Sequence, residues 1–409
     1  MSEMRQVPEG WEIDNFKSLK IKLIDGDRGE NYPKDDDFFE HGYCVFLSAK
    51  NVTKNGFKFN ELQFINQEKD EKLRKGKLEK EDIVLTTRGT VGNIAYFDNT
   101  INYNHIRINS GMILLRNENK SLETNYLHTF LKSNIFDYQI ANTVFGSAQP
   151  QLTVKEIEKF FICFPKEKKE QEKIAKILST LDKTIESTNR LIEKEKHIKT
   201  ALMQELLTNG IDQNGQIRSP QTHTYKPSEL GLVPDEWEVV SLDDFFKLKS
   251  GDTKPEDTSN NGIYEVYGGN GITGYSNSKN NNEETLIIGR VGEYCGSIYL
   301  VNECWITDNA LYITKKIKKF DTKYMFYLLY FLNLNQYKAE TGQPLLNQTI
   351  IGNVQTSYPR NYEEQKQIAK ILTTQDKKIE TEETNLAKLK ELKKGLMSDL
   401  LSGKVRVEI

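Results

Sequence analysis

The chain has 409 residues, 37% of them apolar and 28% charged, with 56 Lys and Arg against 59 Asp and Glu for a formal net charge of −3. That length exceeds one typical domain, and the charge balance excludes a uniformly basic surface, so any nucleic-acid site has to be a local patch. No apolar run approaches the roughly 20 residues that a membrane helix needs, and the first residues lack the basic start and apolar core of a secretory signal; the expectation is a cytoplasmic protein with no membrane partner.

In chain order, "PEGWEI" (8–13) opens a stretch to 165 in which short β-rich runs such as "DIVLTT", "IAYF" and "GMILLR" are separated by Gly, Asn and Asp, with a helical patch at "NYLHTFLKSNIFDYQIA". This predicts an α+β globule. Within it, "DGDRGENYPKDDDF" (25–38) begins like a calcium loop but puts Gly29 and Glu30 where a ligand and the turn glycine belong. His41 and Cys44 are spaced as half a zinc site with no second pair to answer them. The four cysteines form no C-x-x-C pair and read as reduced, buried small residues.

From 166 to 210 the pattern becomes helical: Ile174, Ile177, Leu178, Leu181, Ile185, Leu191, Ile192, Ile198, Leu202 and Leu206 form a stripe bounded by Pro165 and Gly210. Residues 211–360 return to β-rich runs ("TLIIG", "ALYIT") with a helical patch at "TKYMFYLLYFLNL". A second stripe, Ile368, Ile371, Leu372, Ile379, Leu386, Leu389, Leu396 and Leu400, occupies 361–409 between Pro359 and Gly403, with Gly395 as an interior glycine that costs about 1 kcal/mol relative to alanine. Helices of about 40 residues, about 60 Å at 1.5 Å per residue, need a partner for their stripe, and each is the natural partner of the other.

The two halves repeat. "EQEKIAKIL" (170–178) returns as "EQKQIAKIL" (364–372), an offset of 194 (364 − 170). "PEGWEI" returns as "PDEWEV" (234–239), "RGTVGNIAYF" (88–97) as "RVGEYCGSIYL" (290–300), and "AQPQL" (148–152) as "GQPLL" (342–346). The helical segments keep register while the globular ones share only anchors, the pattern of a fixed frame with two variable heads.

Catalytic motifs are missing. "GNGITG" (269–274) fits G-x-G-x-x-G, but "YSNSKNNNEE" follows it instead of a helix, so it reads as a tight turn. Gly-Lys is followed by Leu78 or Val405, not Ser or Thr, and no Asn-Pro-Pro-aromatic motif of an adenine methyltransferase occurs. His105, His128 and His197 lack nucleophile contexts. The chain therefore reads as a binding and positioning protein with no catalytic residue, no metal and no cofactor of its own.

"VPDEWEVVSLDDFFKLKSGDTKP", "YGGNGITGYSN", "IIGRVGEYCGSIYLVNECWITDNALYI", "GQPLLNQTIIGNVQ" and the repeated Glu-Gln-x-x-Ile-Ala-x-Ile-Leu together resemble the specificity subunit of type I restriction-modification enzymes, in the right order and over nearly the whole chain. The resemblance implies an α+β fold of two α/β target-recognition domains (1–165 and 211–360) joined by two long antiparallel coiled-coil helices (166–210 and 361–409) in a pseudo-twofold repeat. It further implies a non-catalytic subunit that reads a split double-stranded DNA site. Its partners would be two modification subunits, which bind S-adenosylmethionine and methylate adenine, and restriction subunits that use ATP and Mg. A coiled-coil adaptor with two ligand-binding heads is the alternative.

Base reading needs Arg for guanine and Asn or Gln for adenine. The candidates are Arg28, Arg88, Asn104, His105, Arg107, Ser147 and Gln149 in the first head, and Asn270, Tyr275, Asn277, Arg290, Tyr294, Asn309 and Gln343 in the second. Arg88 with Arg290, and Gln149 with Gln343, are matched pairs that either read DNA or hold their heads together. The basic runs 69–80 and 315–319 are candidate patches or solvated surface. Leu202, Leu206, Leu207, Leu396, Leu400 and Leu401 either contact partner subunits or form helix-helix core.

Overall fold

The computed structural model describes residues 7–144, 151–339 and 344–408. They form two compact units, one running to Thr188 and resuming at Asn385, the other spanning Asn189–Thr384. Each unit combines a head with half of each long helix, Lys168–Thr208 (41 residues) and Tyr362–Leu401 (40 residues). The expected architecture is what the chain forms: an α+β fold, internally repeated, with two heads joined by a long antiparallel helix pair.

In the first head, Trp11–Asn15 pairs antiparallel with Phe161–Pro165. A four-stranded antiparallel sheet runs in the order Ile21–Asp25, Met112–Asn117, Ile83–Thr86, Ile94–Tyr96. A three-stranded sheet sets Cys44–Leu47 between Phe64–Ile65 and Ile106–Ile108, parallel to the latter. The second head repeats each of these sheets: Trp237–Ser241 with Gln355–Pro359, then Phe246–Ser250, Ala310–Lys316, Thr285–Gly289, Ile298–Val301, then Tyr264–Gly268 between Gly271–Ser276 and Cys304–Ile306. The unbroken apolar runs at 83–85 and 286–288 follow from this placement. Ile83 and Leu85 face one core and Val84 another, as Leu286 and Ile288 face one and Ile287 another, so both faces of these strands are dry.

The repeated Glu-Gln joins helix to head. Gln171 accepts the Glu123 N–H at the start of the helix Thr124–Leu131 (2.7 Å) and donates to the Pro165 carbonyl (2.7 Å). Gln365 does the same with the Asp321 N–H (3.0 Å) and the Pro359 carbonyl (2.9 Å), beside the helix Thr322–Phe331. The buried Glu170 pairs with Arg406 through both oxygens (2.6 and 2.7 Å), and the buried Glu364 pairs with Arg218 (2.5 and 3.1 Å). Each arginine lies just beyond the end of the other long helix, so this pairing requires the helices to be antiparallel.

The remaining repeats make the same connection. Asp182 takes Lys132 of its head and Lys393 of the opposite helix, while Asp376 takes the Tyr327 hydroxyl of its head and Lys199 of the opposite helix. The helix-ending glycines Gly210 and Gly403 have φ of +65° and +70°, and a Cβ there would lie 2.5 Å from Trp237 and 3.0 Å from Trp11 respectively. Glycine is thus required both by conformation and by the tryptophan pressed against it. The apolar stripes are only partly a helix-helix seam: Ile174, Leu178, Leu400 and Leu401 enter the core of the first unit, and Leu206, Leu207, Ile368 and Leu372 that of the second. Gly395 faces open space, and nothing in the structure explains it.

Two outcomes follow. Arg218→Ala leaves Glu364 buried without its charge partner, a loss of about 3–5 kcal/mol in urea unfolding. Arg406→Ala costs less than half of that, because the Arg406 side chain is 47% exposed against 6% for Arg218. The His128 ring, stacked on Tyr96 at 5.1 Å, is held at about 4 by burial and then by Lys132. Its folded value lies below the unfolded one of about 6.5, so its contribution is full above that pH and is lost as pH falls towards 4. Thermal melts of His128→Phe are accordingly flatter between pH 6.5 and 4 than those of the parent chain.

Candidate nucleic-acid interface

The registers Ile113↔Asp25, Met112↔Thr86 and Leu85↔Ile94 bring four strand ends together on one edge of the first head's sheet. The connecting loops carry Arg28 and Arg88. Arg28 donates to Asp25 Oδ1 and to the Ser110 carbonyl, both at 3.2 Å, while its side chain stays exposed. Arg88 is tied by its backbone N–H to the Gly111 carbonyl (3.2 Å) and its side chain is also exposed. The two guanidinium side chains thus arise on either side of Ser110–Gly111. Gly26 permits this closeness, since a Cβ there would lie 2.1 Å from the Asn109 carbonyl.

Next to it, the buried Asp27 braces the loop by accepting the Gly29 and Arg74 N–H groups (2.8 and 2.7 Å). Burial opposes its ionisation, but these bonds and the Arg74 guanidinium outweigh it and hold the carboxyl at about 2. The would-be calcium loop is therefore a self-satisfied turn. Among the described residues no cluster of three or more potential metal ligands occurs.

The second head gathers its loops at the same sheet edge, where Ser250↔Leu311, Gly289↔Ala310 and Ile288↔Ile298 meet. Here "GNGITG" is a hairpin: Gly268 faces Gly271 across the two-residue turn Gly269–Asn270, with Gly271 at φ +90°. The turn is wedged against the sheet end. A Cβ on Gly269 would lie 2.9 Å from the Asn309 carbonyl, and one on Gly289 would lie 2.1 Å from the Gly269 carbonyl. Asn270 and Asn309 are both exposed at this tip, where Gly269 lies against the Asn309 carbonyl, and Tyr294 projects from the adjoining loop.

Residues 8–196 and 234–391 match the family described as type I restriction modification DNA specificity domain. The chain belongs to that family. It is 26% identical to the type I restriction enzyme MjaVIII specificity subunit of Methanocaldococcus jannaschii, over 98% of this chain and 95% of that one. It is 29% identical to the Escherichia coli EcoprrI specificity subunit over 31% of this chain and 34% of the relative. A crystal structure of the type I restriction-modification S subunit from M. genitalium matches the fold with a TM-score of 0.65 at 18% identity, covering 97% of both chains. This specificity subunit is a non-catalytic component, and no described helix is long and apolar enough to cross a membrane.

Within the specificity subunit, Arg88 and Arg290 are not equivalent, although both stand before glycine-rich loops. Arg290 donates its N–H to the Asn309 carbonyl (3.0 Å) and accepts Leu346 N–H (2.8 Å). In the first head it is Thr87 that donates to the Gly111 carbonyl (2.8 Å) and accepts Leu152 N–H (3.0 Å). The one-residue slip turns the two side chains to opposite faces. Arg290 is half-buried, its Nη1 near Ser250 Oγ (3.3 Å) and the Asp308 carbonyl (3.5 Å). Ser250 and Asp308 were missed in the sequence because only the sheet register brings them to Arg290.

Other candidates part company with the tips. Arg107 is a correction: it is buried, with Nε on Asp70 Oδ1 (2.5 Å) and its Nη atoms on the carbonyls of Lys75, Asp70 and Leu73 (2.7–3.0 Å), so its guanidinium is committed inside the head and is not presented to a base. Asn104 and His105 lie before the strand Ile106–Ile108, at its far end from Asn109, with His105 stacked on Tyr43 at 4.2 Å. Tyr275 and Asn277 stand at the end of the hairpin away from its turn. Ser147, Gln149 and Gln343 lie outside the described residues.

The leucines and the basic runs need correction too. Leu206, Leu207, Leu400 and Leu401 are buried in the unit cores, and Leu202 and Leu396 pack against those cores, so they offer little surface to a partner. In the basic runs, Lys69, Lys72, Lys77 and Lys318 pair with Asp37, Glu68, Asp70 and Glu238. The first run is therefore largely committed to ion pairs, and so is Lys318 of the second. Arg107→Ala accordingly leaves the buried Asp70 with Lys77 alone and the carbonyls of Lys75, Asp70 and Leu73 without their donor, lowering stability by about 1–3 kcal/mol, whereas Arg88→Ala leaves the melting curve in place; parallel thermal and urea unfolding separates the two.

Proposed function

We propose that this specificity subunit reads a bipartite double-stranded DNA target, one half-site per head, and positions modification and restriction subunits on it. The observation that supports this best is duplication with variation. The same sheet, loop edge and Glu-Gln clasp occur twice, while the side chains on the two loop edges differ. A fixed frame with unlike reading edges is suited to two different half-sites. Adenine methylation requires a base to leave the duplex, and a subunit that grips the flanks on both sides supplies the purchase. The S-adenosylmethionine, ATP and Mg chemistry belongs, in this reading, to the partner subunits.

The antiparallel helices act in this proposal as the ruler between half-sites. Insertion of seven residues into each helix, near Thr188 and Thr384, lengthens the pair by about 10 Å. That corresponds to about three base pairs of B-DNA, where a turn of about 34 Å holds about ten. Methylome sequencing of cells carrying this variant with its modification subunits then finds both half-sites unchanged and the spacer longer by about three; an unchanged spacer refutes the ruler. A salt titration tests DNA against the adaptor reading, since affinity for DNA falls linearly in log–log form with a slope of about −0.9 per phosphate neutralised.

A further inference from the structure

The two reading edges carry opposite chemistry at equivalent places. In the first head the edge presents two exposed arginines, Arg28 and Arg88, on either side of Ser110–Gly111. In the second head the residue matched to Arg88 by sequence, Arg290, is drawn inward by the register slip toward Ser250 and Asp308. The position matched to Gly111 by backbone pairing is Asn309, and the hairpin turn that carries the exposed Asn270 packs against it through Gly269. The second edge therefore presents two exposed carboxamides, with its arginine folded back.

A guanidinium fork matches the O6 and N7 acceptors of guanine in the major groove, while a carboxamide matches the N6 donor and N7 acceptor of adenine. We infer that the first head selects guanine through Arg28 and Arg88 and the second selects adenine through Asn270 and Asn309, with Arg290 a positioning residue that holds the Ser250 and Asp308 loops under the tip. This rests on the bipartite reading proposed above. The two half-sites are consequently unlike in composition, and neither head can substitute for the other. Backbone-only contact by the arginines is the competing outcome, since guanidinium groups also bind phosphate.

The test is methylome sequencing with the full chain and its modification subunits. Asn270→Ala and Asn309→Ala each relax an adenine position in one half-site by about 5- to 150-fold and leave the other half-site fixed. Arg28→Ala and Arg88→Ala relax guanine in the other half-site, and Arg88→Lys does so as well, because it keeps the charge but loses the fork. Motifs unchanged in the asparagine variants, or arginine variants that weaken modification uniformly without relaxing a base, overturn the inference. So does wild-type behaviour of Arg88→Lys.

Should a variant abolish modification, the unmutated complex is titrated with target duplexes carrying 7-deazaguanine in one half or 7-deazaadenine in the other. Binding weakens at least about fivefold when the N7 acceptor is removed from a read base, and undiminished binding overturns the inference. Absence of any two-part motif for the unmutated chain would instead sink the bipartite reading itself, so the two failures are distinct.

Discussion

The structure depends on two buried carboxylates. Glu170 and Glu364 begin their long helices inside apolar surroundings, where an unpaired charge is expensive. Each is paired with an arginine that arrives after the other helix has ended, Arg406 and Arg218. Parallel helices, or helices of much different length, could not deliver those partners. The clasp therefore fixes direction and relative length at once. Glu364 makes the point more fully, for its Oε1 also accepts the Ile211 and Trp237 N–H groups at 3.1 and 3.3 Å, joining helix end, helix start and head in one polar knot.

Beside each carboxylate the repeated glutamine settles the angle between helix and head. A side-chain amide that accepts one N–H and donates its own to a carbonyl can satisfy a helix start and a strand end simultaneously, which no apolar contact could do with the same direction. Apolar packing then contributes magnitude. Leu206, Leu207, Leu400 and Leu401 are almost wholly buried, each bringing about 1.5–3 kcal/mol on the usual transfer scale. Direction comes from the polar pairs and strength from the leucines.

Much of this was legible in the sequence because the frame is made of short-range rules applied twice. Helical stripes, flanking prolines and closing glycines gave the long helices to within a few residues, and the 194-residue echo gave the repeat. What could not be read was the destination of each apolar residue. The stripe from Ile174 to Leu206 has one period throughout, yet its ends enter head cores while Leu191 and Ile198 remain partly exposed. Periodicity reports a face of a helix and not what covers it. The reading edges were legible as glycine-bordered loops, but residue type alone could not separate the exposed Arg88 from the enclosed Arg107, a difference set by the neighbouring Asp70. The Arg290 slip is likewise a matter of strand register, which one sequence does not display.

The pairing of Glu170 with Arg406 spans 236 positions of chain. During synthesis the first head and the start of its helix emerge from the ribosome long before Met397, Leu400, Leu401 and Arg406 have been made, so their cavity and their carboxylate must wait through translation of the whole second head. The second unit faces no such delay, because Arg218 precedes Glu364. The first unit to be translated is thus the last to close, and the nascent chain carries an open apolar seat until Met397, Leu400 and Leu401 arrive to fill it.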